Sequence, residues 1–270
     1  MTIKLVAVDI DGTLLTPDKK ITPEVKAAVR EASQFGVQVV IATGRPVAGV
    51  YHLLEELELN KPGHYVITFN GALVQDAATG QELVKDILSY QDYLDIEYYS
   101  RLLGVHMHSI TKEGIFTANR NIGKYTVHES QLVNMPIFYR TPEEMADKEI
   151  IKTMYIDEPE ILDAAIAKLP AEFYERFTIV KSTPFYLEIL KKSANKGRAI
   201  QQLAQELGLT MAQAMAIGDE ENDLAMLEVV DHPVVMENGN PKVKKIAKHI
   251  TKSNQESGVA YALKTWVLND

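Results

Sequence analysis

The sequence predicts an α/β protein: a parallel sheet with helices on its faces, interrupted by an inserted α+β segment. Short β-branched runs alternate with helix-period segments at the start of the chain, and the same alternation returns near its end. The stretch between them differs in composition and rhythm. Strand, helix, strand in regular succession is the mark of a parallel sheet, because each crossover must carry the chain back across the sheet before the next strand can align with the last.

The elements follow in order. Residues 3–8 form a β-branched run that ends in acids and Gly12, which reads as a buried strand. Thr22-Pro23-Glu24 opens a helix with a capping hydroxyl, a proline whose missing N–H is harmless in the first turn, and an early acid. It closes near Gly36; residues 37–42 are a second buried strand, and another helix runs to about Leu59. Residues 65–69 are a third strand, ending at Asn70-Gly71. The middle, residues 84–187, is rich in tyrosine, with strand-like pieces at 115–118, 125–128, 150–156 and 185–189. A helix follows Asp157-Glu158-Pro159, with Ile161, Leu162, Ala165, Ile166 and Leu169 as its apolar face. The first rhythm resumes with a helix after Asn195-Lys196-Gly197, closed by Gly208. A strand at 214–217, a helix at 224–229 and a strand at 234–236 come next, then a helix at 242–249, an edge strand at 250–251 and a last helix at 259–268. One domain built from 1–83 and 188–270, with 84–187 inserted, accounts for this order.

Composition narrows the function. Hydrophobic residues make up 46% and charged residues 24%, as in ordinary globular chains, which excludes a disordered or fibrous protein. The net charge of −9 argues against a nucleic-acid or anionic-membrane binder, since both need a positive field. The absence of cysteine excludes disulfides, thiolate metal sites and cysteine nucleophiles. Asp9 comes too early for a secretory leader, and no apolar run approaches the roughly 18 residues of a membrane span. A cytoplasmic protein is expected.

In open α/β sheets ligands bind beyond the carboxyl ends of the strands, and four such ends carry unusual polar residues. In Asp9-Ile10-Asp11-Gly12-Thr13 the acids are two apart, so both carboxylates can enter one space; one can act as nucleophile while the other moves a proton, and both can offer oxygens to a hard cation. Thr43-Gly44-Arg45 brings a hydroxyl, a bare backbone and a cation, a set that binds phosphoryl oxygens. Lys196 sits near a helix N-terminus, where dipole and ammonium both favour an anion. Gly218-Asp219-Glu220-Glu221-Asn222-Asp223 supplies acids able to complete a Mg²⁺ site. Each alone has an ordinary explanation as a turn, a cap or a solvated face.

Together, Asp9-Ile10-Asp11-Gly12-Thr13, Thr43, Lys196 and Gly218-Asp219 with Asn222-Asp223 resemble, in order and type, the four motifs of the haloacid dehalogenase-like phosphotransferases. Ala42-Thr43-Gly44-Arg45-Pro46, Phe69-Asn70-Gly71-Ala72 and residues 218–223 look like the Cof-type subfamily of sugar-phosphate phosphatases. The likeness runs the whole length and includes Tyr125-Thr126-Val127-His128-Glu129-Ser130 in the insertion; Gly239, at a site often alanine, is a small departure. The resemblance implies a Rossmann-like core over 1–83 and 188–270 and a mobile α+β cap over 84–187 that sets substrate specificity. It implies Asp9 as nucleophile and Asp11 as acid and base. Thr43, the Gly44 backbone, Lys196 and Asn222 would bind phosphate. Asp9, the Asp11 backbone carbonyl and Asp219 would hold Mg²⁺, with Asp223 in support and Arg45 and Asn70 nearby. The expected activity is Mg²⁺-dependent hydrolysis of small sugar phosphates through an aspartyl-phosphate, with no nucleic-acid or membrane partner, by a monomer or homodimer.

Two alternatives share this chemistry: a hexose phosphomutase with the same nucleophile, and a phosphoacceptor signalling domain, although such domains are typically shorter and have adjacent acids. Other signals are weaker. His106 and His108 alternate, so they share a face if that stretch is a strand, and a surface or packing role is simpler than a metal pair with no third ligand nearby. The basic stretch from Lys242 to Lys248 fits a solvated helix face, and Gly44 to Gly49 has P-loop spacing without the required Lys and Ser/Thr.

Overall fold

A computed structural model describes residues 2–268. The chain divides into two compact units, one reaching Lys85 and resuming at Asn195, the other spanning Asp86–Ala194.

In the first unit, β1 (Leu5–Val8), α1 (Pro23–Gln34), β2 (Gln38–Ala42), α2 (Tyr51–Glu56) and β3 (Tyr65–Thr68) follow the expected alternation. Thr22 caps α1 by accepting from the Val25 amide, with Pro23 in the first turn. Two antiparallel strands, β4 (Leu73–Asp76) and β5 (Glu82–Lys85), then extend the sheet.

The second unit contains α3 (Tyr90–Leu103), β6 (His106–Ile110), β7 (Ile115–Thr117), α4 (Lys124–Val133), β8 (Ile137–Tyr139) and β9 (Lys152–Ile156). It ends with α5 (Pro159–Ile166), α6 (Ala171–Arg176), β10 (Phe177–Thr183) and β11 (Tyr186–Lys191). The chain then returns to the first unit through α7 (Lys196–Glu206), β12 (Ala214–Gly218), α8 (Leu224–Val229), β13 (His232–Val235), α9 (Pro241–Lys244), β14 (His249–Ile250) and α10 (Gly258–Trp266).

The eight strands of the first unit lie in the order β14-β13-β12-β1-β2-β3-β4-β5, parallel from β14 to β3. Alternate residues of β1 serve opposite faces: Val6 and Val8 pack with α1, α2 and α10, while Leu5 and Ala7 pack with α7 and α8. Burial on both faces explains why β1 and β2 read as continuous apolar runs. Each buried valine, leucine or isoleucine contributes about 1.5–3 kcal/mol relative to an exposed one. The order also reverses direction beside β1: the chain moves from β1 to β2 on one side and returns at β12 on the other, which opens a crevice at their carboxyl ends.

The six-stranded sheet of the second unit runs β10-β11-β9-β6-β7-β8, antiparallel except for β7 and β8. One face packs on α3, α5 and α6 through Tyr93, Ile96, Leu162 and Phe173. On the other, His108 meets Thr126 of α4 and Met154 of β9.

Three expectations are corrected. A border at 187/188 would divide β11, whose Tyr186–Ile189 pair with β9; the unit therefore continues to Ala194. The strand expected at 125–128 is the first half of α4, because Thr126, Glu129 and Val133 meet the interior at helical spacing. The helix expected over 242–249 is confined to α9, because the Lys248 amide donates to the Pro233 carbonyl and draws the chain into β14. His106 and His108 do share a face of β6. His106 pairs with Asp157 at 2.8 Å, and neither histidine joins a group of three metal-competent side chains among the described residues.

His108 is fully buried, and loss of hydration, helped by the Lys152 charge, pushes its imidazole down to about 3. The unfolded chain takes up this proton near pH 6.5, whereas the folded chain refuses it until about pH 3. Stability from this group is therefore present above the unfolded value and falls as pH drops through that window, by at most ~1.4 kcal/mol per pH unit. Glu129, raised by burial, acts in the opposite sense, so the imidazole is isolated by difference. Urea unfolding at pH 7 and pH 4.5 should show a larger loss in the unaltered chain than in His108→Leu; equal losses would exclude the effect.

Candidate active site

Asp9 follows β1 directly, and its amide donates to the Ile217 carbonyl of β12 at 3.0 Å. Val8 and Ile217 are register partners, so the residues after them, Asp9 and Gly218-Asp219, emerge side by side at the crevice. The turn after Asp9 needs Gly12, which has φ +85° and no room for a Cβ, since one would lie 2.2 Å from Asp219 Oδ2. Thr13 donates to Asp219 Oδ1 at 2.6 Å and fixes that carboxylate.

Lys196 reaches the same place from the first turn of α7. Its Nζ donates to Asp9 Oδ1 at 2.5 Å and to Asp223 Oδ1 at 2.7 Å, and its side chain is 1% exposed. The helix is brought close by glycine: a Cβ on Gly197 would lie 2.0 Å from the Ala225 carbonyl oxygen, and one on Gly71 2.2 Å from that of Asn195. The other oxygen of Asp223 accepts from the Asp219 and Glu220 amides at 2.9 and 3.2 Å. Asp223 is thereby committed to orienting both Lys196 and the Asp219 turn. Asp9 Oδ2, by contrast, accepts no hydrogen bond among the described residues.

Burial dominates the electrostatics. It raises the Asp9 carboxyl to about 7 against the opposing Lys196 charge, with Asp223 and Asp219 adding to the rise. Asp219 is raised to about 6, again chiefly by burial, opposed by the Thr13 hydrogen bond. Burial would lower Lys196, but Asp9 and Asp223 outweigh it and hold the ammonium above its usual range. One carboxylate oxygen from each of Asp9, Asp219 and Asp223 lies within 4.8 Å of the others. An all-oxygen donor set suits a hard divalent cation, and such a cation would offset the cost of gathering three acids. Because Asp223 is already bonded at both oxygens, Asp9 and Asp219 are the carboxylates best able to turn toward a metal.

The second strand end is built as tightly. Thr43 is buried, and its hydroxyl accepts from the Arg45 amide at 3.2 Å. The Asn70 amide donates to the Thr43 carbonyl at 2.9 Å, with Asn70 in the left-handed region at φ +55°. A Cβ on Gly44 would come within 3.0 Å of Asn70 Oδ1, so these two residues close on one another. Asp11 shares the loop with Asp9, but its carboxylate is engaged by Arg45 Nη2 at 2.8 and 2.7 Å and by Lys19 Nζ at 2.7 Å. Burial would raise Asp11; the Lys19 and Arg45 bonds outweigh that and hold it below the ordinary carboxylate range.

Of the expected residues, Asp9, Lys196, Asp219 and Asp223 converge in one cluster. Thr43, Gly44, Arg45 and Asn70 interlock as a second group, tied by Arg45 to Asp11. Asn222 is exposed in the 3₁₀ turn Glu221–Asp223, and its side chain makes no hydrogen bond among the described residues. Three contributors were not singled out from the sequence. Thr13 stands inside the acidic motif and was legible there. Lys19 and Asn238, whose amide donates to the Gly12 carbonyl at 2.8 Å, carry no local signal at all.

Comparison with known proteins identifies the family. A family model described as haloacid dehalogenase-like hydrolase matches residues 6–263. A provisionally named phosphatase of Streptococcus pyogenes serotype M6 is 70% identical over 269 residues, covering 100% of both chains. A Bacillus subtilis protein named 5-amino-6-(5-phospho-D-ribitylamino)uracil phosphatase YcsE is 33% identical, covering 98% of this chain and 96% of its own. A solved haloacid dehalogenase-like hydrolase from Bacteroides thetaiotaomicron superposes with a TM-score of 0.82 at 27% identity, over 97% of this chain and 98% of that one. The chain belongs to the haloacid dehalogenase-like hydrolase family.

Removing Asp223 should leave the Lys196 ammonium short of one buried partner and two amides without their acceptor. Asp223→Ala is expected to cost about 3–5 kcal/mol, the usual penalty for stripping one member from a buried pair. Chemical unfolding measures it; a loss under about 1 kcal/mol, the level of an exposed pair, would contradict the buried triad.

Proposed function

We propose that this chain is a Mg²⁺-dependent phosphatase that hydrolyses small sugar phosphates and related phosphomonoesters through an aspartyl-phosphate on Asp9. The observation that carries the proposal is the buried Asp9 carboxylate. Lys196 orients its Oδ1, while its Oδ2 accepts no hydrogen bond among the described residues and is left for attack on phosphorus. Relatives bearing phosphatase names support the reading, and YcsE is named for a monoester on a sugar-like ribityl chain.

In this mechanism Asp9 Oδ2 attacks phosphorus, the bond from phosphorus to the leaving oxygen breaks, and protonated Asp11 gives its proton to the departing alkoxide. Asp11, now a carboxylate, takes a proton from water as the water oxygen attacks phosphorus. The bond to Asp9 then breaks and phosphate is released. Thr43, the Gly44 amide, Lys196 and Asn222 are assigned to the phosphoryl oxygens, with charge stabilisation rather than covalent chemistry as the main demand. Asp9, Asp219 and the Asp11 carbonyl would hold Mg²⁺, which would supply charge to offset that of the acids and the phosphoryl oxygens. Asp223 is assigned to holding Lys196. Substrate selection is assigned to the second unit.

Release of inorganic phosphate from erythrose 4-phosphate, ribose 5-phosphate, hexose 6-phosphates and glycerol phosphate is the direct test. Turnover is expected on several; isomer interconversion with little free phosphate would favour a mutase instead. Asp9→Asn, whose amide oxygen can still accept from Lys196, should remain folded and lose turnover by about three orders of magnitude or more. Substantial residual hydrolysis would sink the nucleophile assignment. EDTA is expected to abolish activity and added Mg²⁺ to restore it, whereas full activity in chelator would remove the metal from the proposal.

A further inference from the structure

Two cations converge on Asp11 from different parts of the first unit. Arg45 Nη2 bonds both carboxylate oxygens, at 2.8 and 2.7 Å, and Lys19 Nζ bonds Oδ1 at 2.7 Å. We propose that Arg45 and Lys19 are positioning residues that hold the Asp11 carboxylate in the orientation in which it takes a proton from water, and so serve the release of phosphate from Asp9. The inference rests on the function proposed above and adds residues to it.

The two holds differ in stiffness. The Arg45 backbone is pinned on both sides, its amide donating to Thr43 Oγ1 at 3.2 Å and its carbonyl accepting from the Phe69 amide at 3.2 Å. Lys19 stands on a tight turn with φ +58°, where its amide donates to the Thr16 carbonyl at 2.8 Å and the Thr16 amide to the Lys20 carbonyl at 3.0 Å. Its side chain is exposed.

Asp11 is itself half-exposed on a loop, and without these contacts its side chain would be divided among rotamers. Here both oxygens accept and neither donates, so Asp11 is held in one orientation as the carboxylate, the form that can take a proton. In the first half of the reaction Asp11 must instead carry a proton on one oxygen and give up a contact there. Lys19, on its exposed turn, is the contact able to yield while Arg45 stays anchored. Exposed pairs of this kind contribute only about 0–1 kcal/mol to folding. A small misplacement of a catalytic group can nonetheless cost on the order of 100-fold in rate. The clamp thus bears on rate far more than on stability.

In the step concerned, water gives a proton to Asp11 and its oxygen bonds to phosphorus. The bond between phosphorus and Asp9 breaks with its electron pair left on the Asp9 oxygen, phosphate departs, and the proton on Asp11 passes to the next leaving alkoxide. Loosening Asp11 should therefore slow dephosphorylation of Asp9.

The test uses the full chain with Mg²⁺ and p-nitrophenyl phosphate, whose leaving group departs without a proton. For Arg45→Ala, kcat should fall by about 10-fold or more and KM should fall with it, leaving kcat/KM within about 3-fold. Phosphorylated Asp9 should accumulate, read as the intact mass of acid-quenched protein. Lys19→Ala should show the same pattern more weakly, and Arg45→Lys should restore part of kcat. Lys19→Ala, altered on an exposed turn, carries the same test if Arg45→Ala fails to fold. Equal losses in kcat and kcat/KM without phosphoenzyme, or no loss in either variant, would overturn the clamp and leave the phosphatase function standing. No phosphate release by the unaltered chain would overturn both.

Discussion

A buried ammonium between two buried carboxylates organises the first unit. Lys196 is 1% exposed and donates to Asp9 and Asp223, which project from different segments of the chain. Leaving any of the three charges alone in that environment would cost several kcal/mol, so the segments that carry them must arrive together. The helix that brings Lys196 needs Gly197 against α8 and Gly71 against the Asn195 carbonyl, and Asp223 in turn fixes the Asp219 turn through two amides. Loop geometry, helix packing and the charge pattern of the site are thus one requirement seen at three scales.

The same requirement explains why the acids are strained. Burial alone would leave Asp9 protonated near neutrality, and Lys196 only partly offsets it. A site that gathers acids in low dielectric is poised for a cation, and its all-oxygen donors favour a hard one. Asp11 lies at the edge of this arrangement, half in solvent and steered by cations rather than by burial. The two acids of one short motif therefore have opposite environments, the circumstance that lets paired carboxylates divide their work.

Much of the fold was legible because local chemistry and tertiary packing agreed. Thr22 and Pro23 are local start signals for a helix and start one here, and the β1 run is apolar because both faces are covered. Where they disagreed, packing prevailed. Residues 125–128 have strand-like alternation, yet the buried face of α4 is Thr126, Glu129 and Val133. Lys248 lies in a stretch whose apolar residues recur at helical spacing, yet a sheet hydrogen bond takes its amide. The end of β11 was missed because nothing in its composition distinguishes it from the strands of the first unit.

By itself the sequence determined the alternation that makes a parallel sheet, the positions of its carboxyl ends, and the residue types placed there. Those are local properties: strand periodicity, capping and turn chemistry act over a few residues. The tertiary structure alone decided that Asp223 rather than Asp11 joins Asp9 and Asp219 in the acid cluster, and that Asp11 belongs to Arg45 and Lys19. Which carboxylate meets which cation depends on the register of β1 against β12 and on how far α7 can approach. The register is set by hydrogen bonds between segments some two hundred residues apart in the chain, and the approach by the contacts of Gly71 with Asn195 and of Gly197 with Ala225.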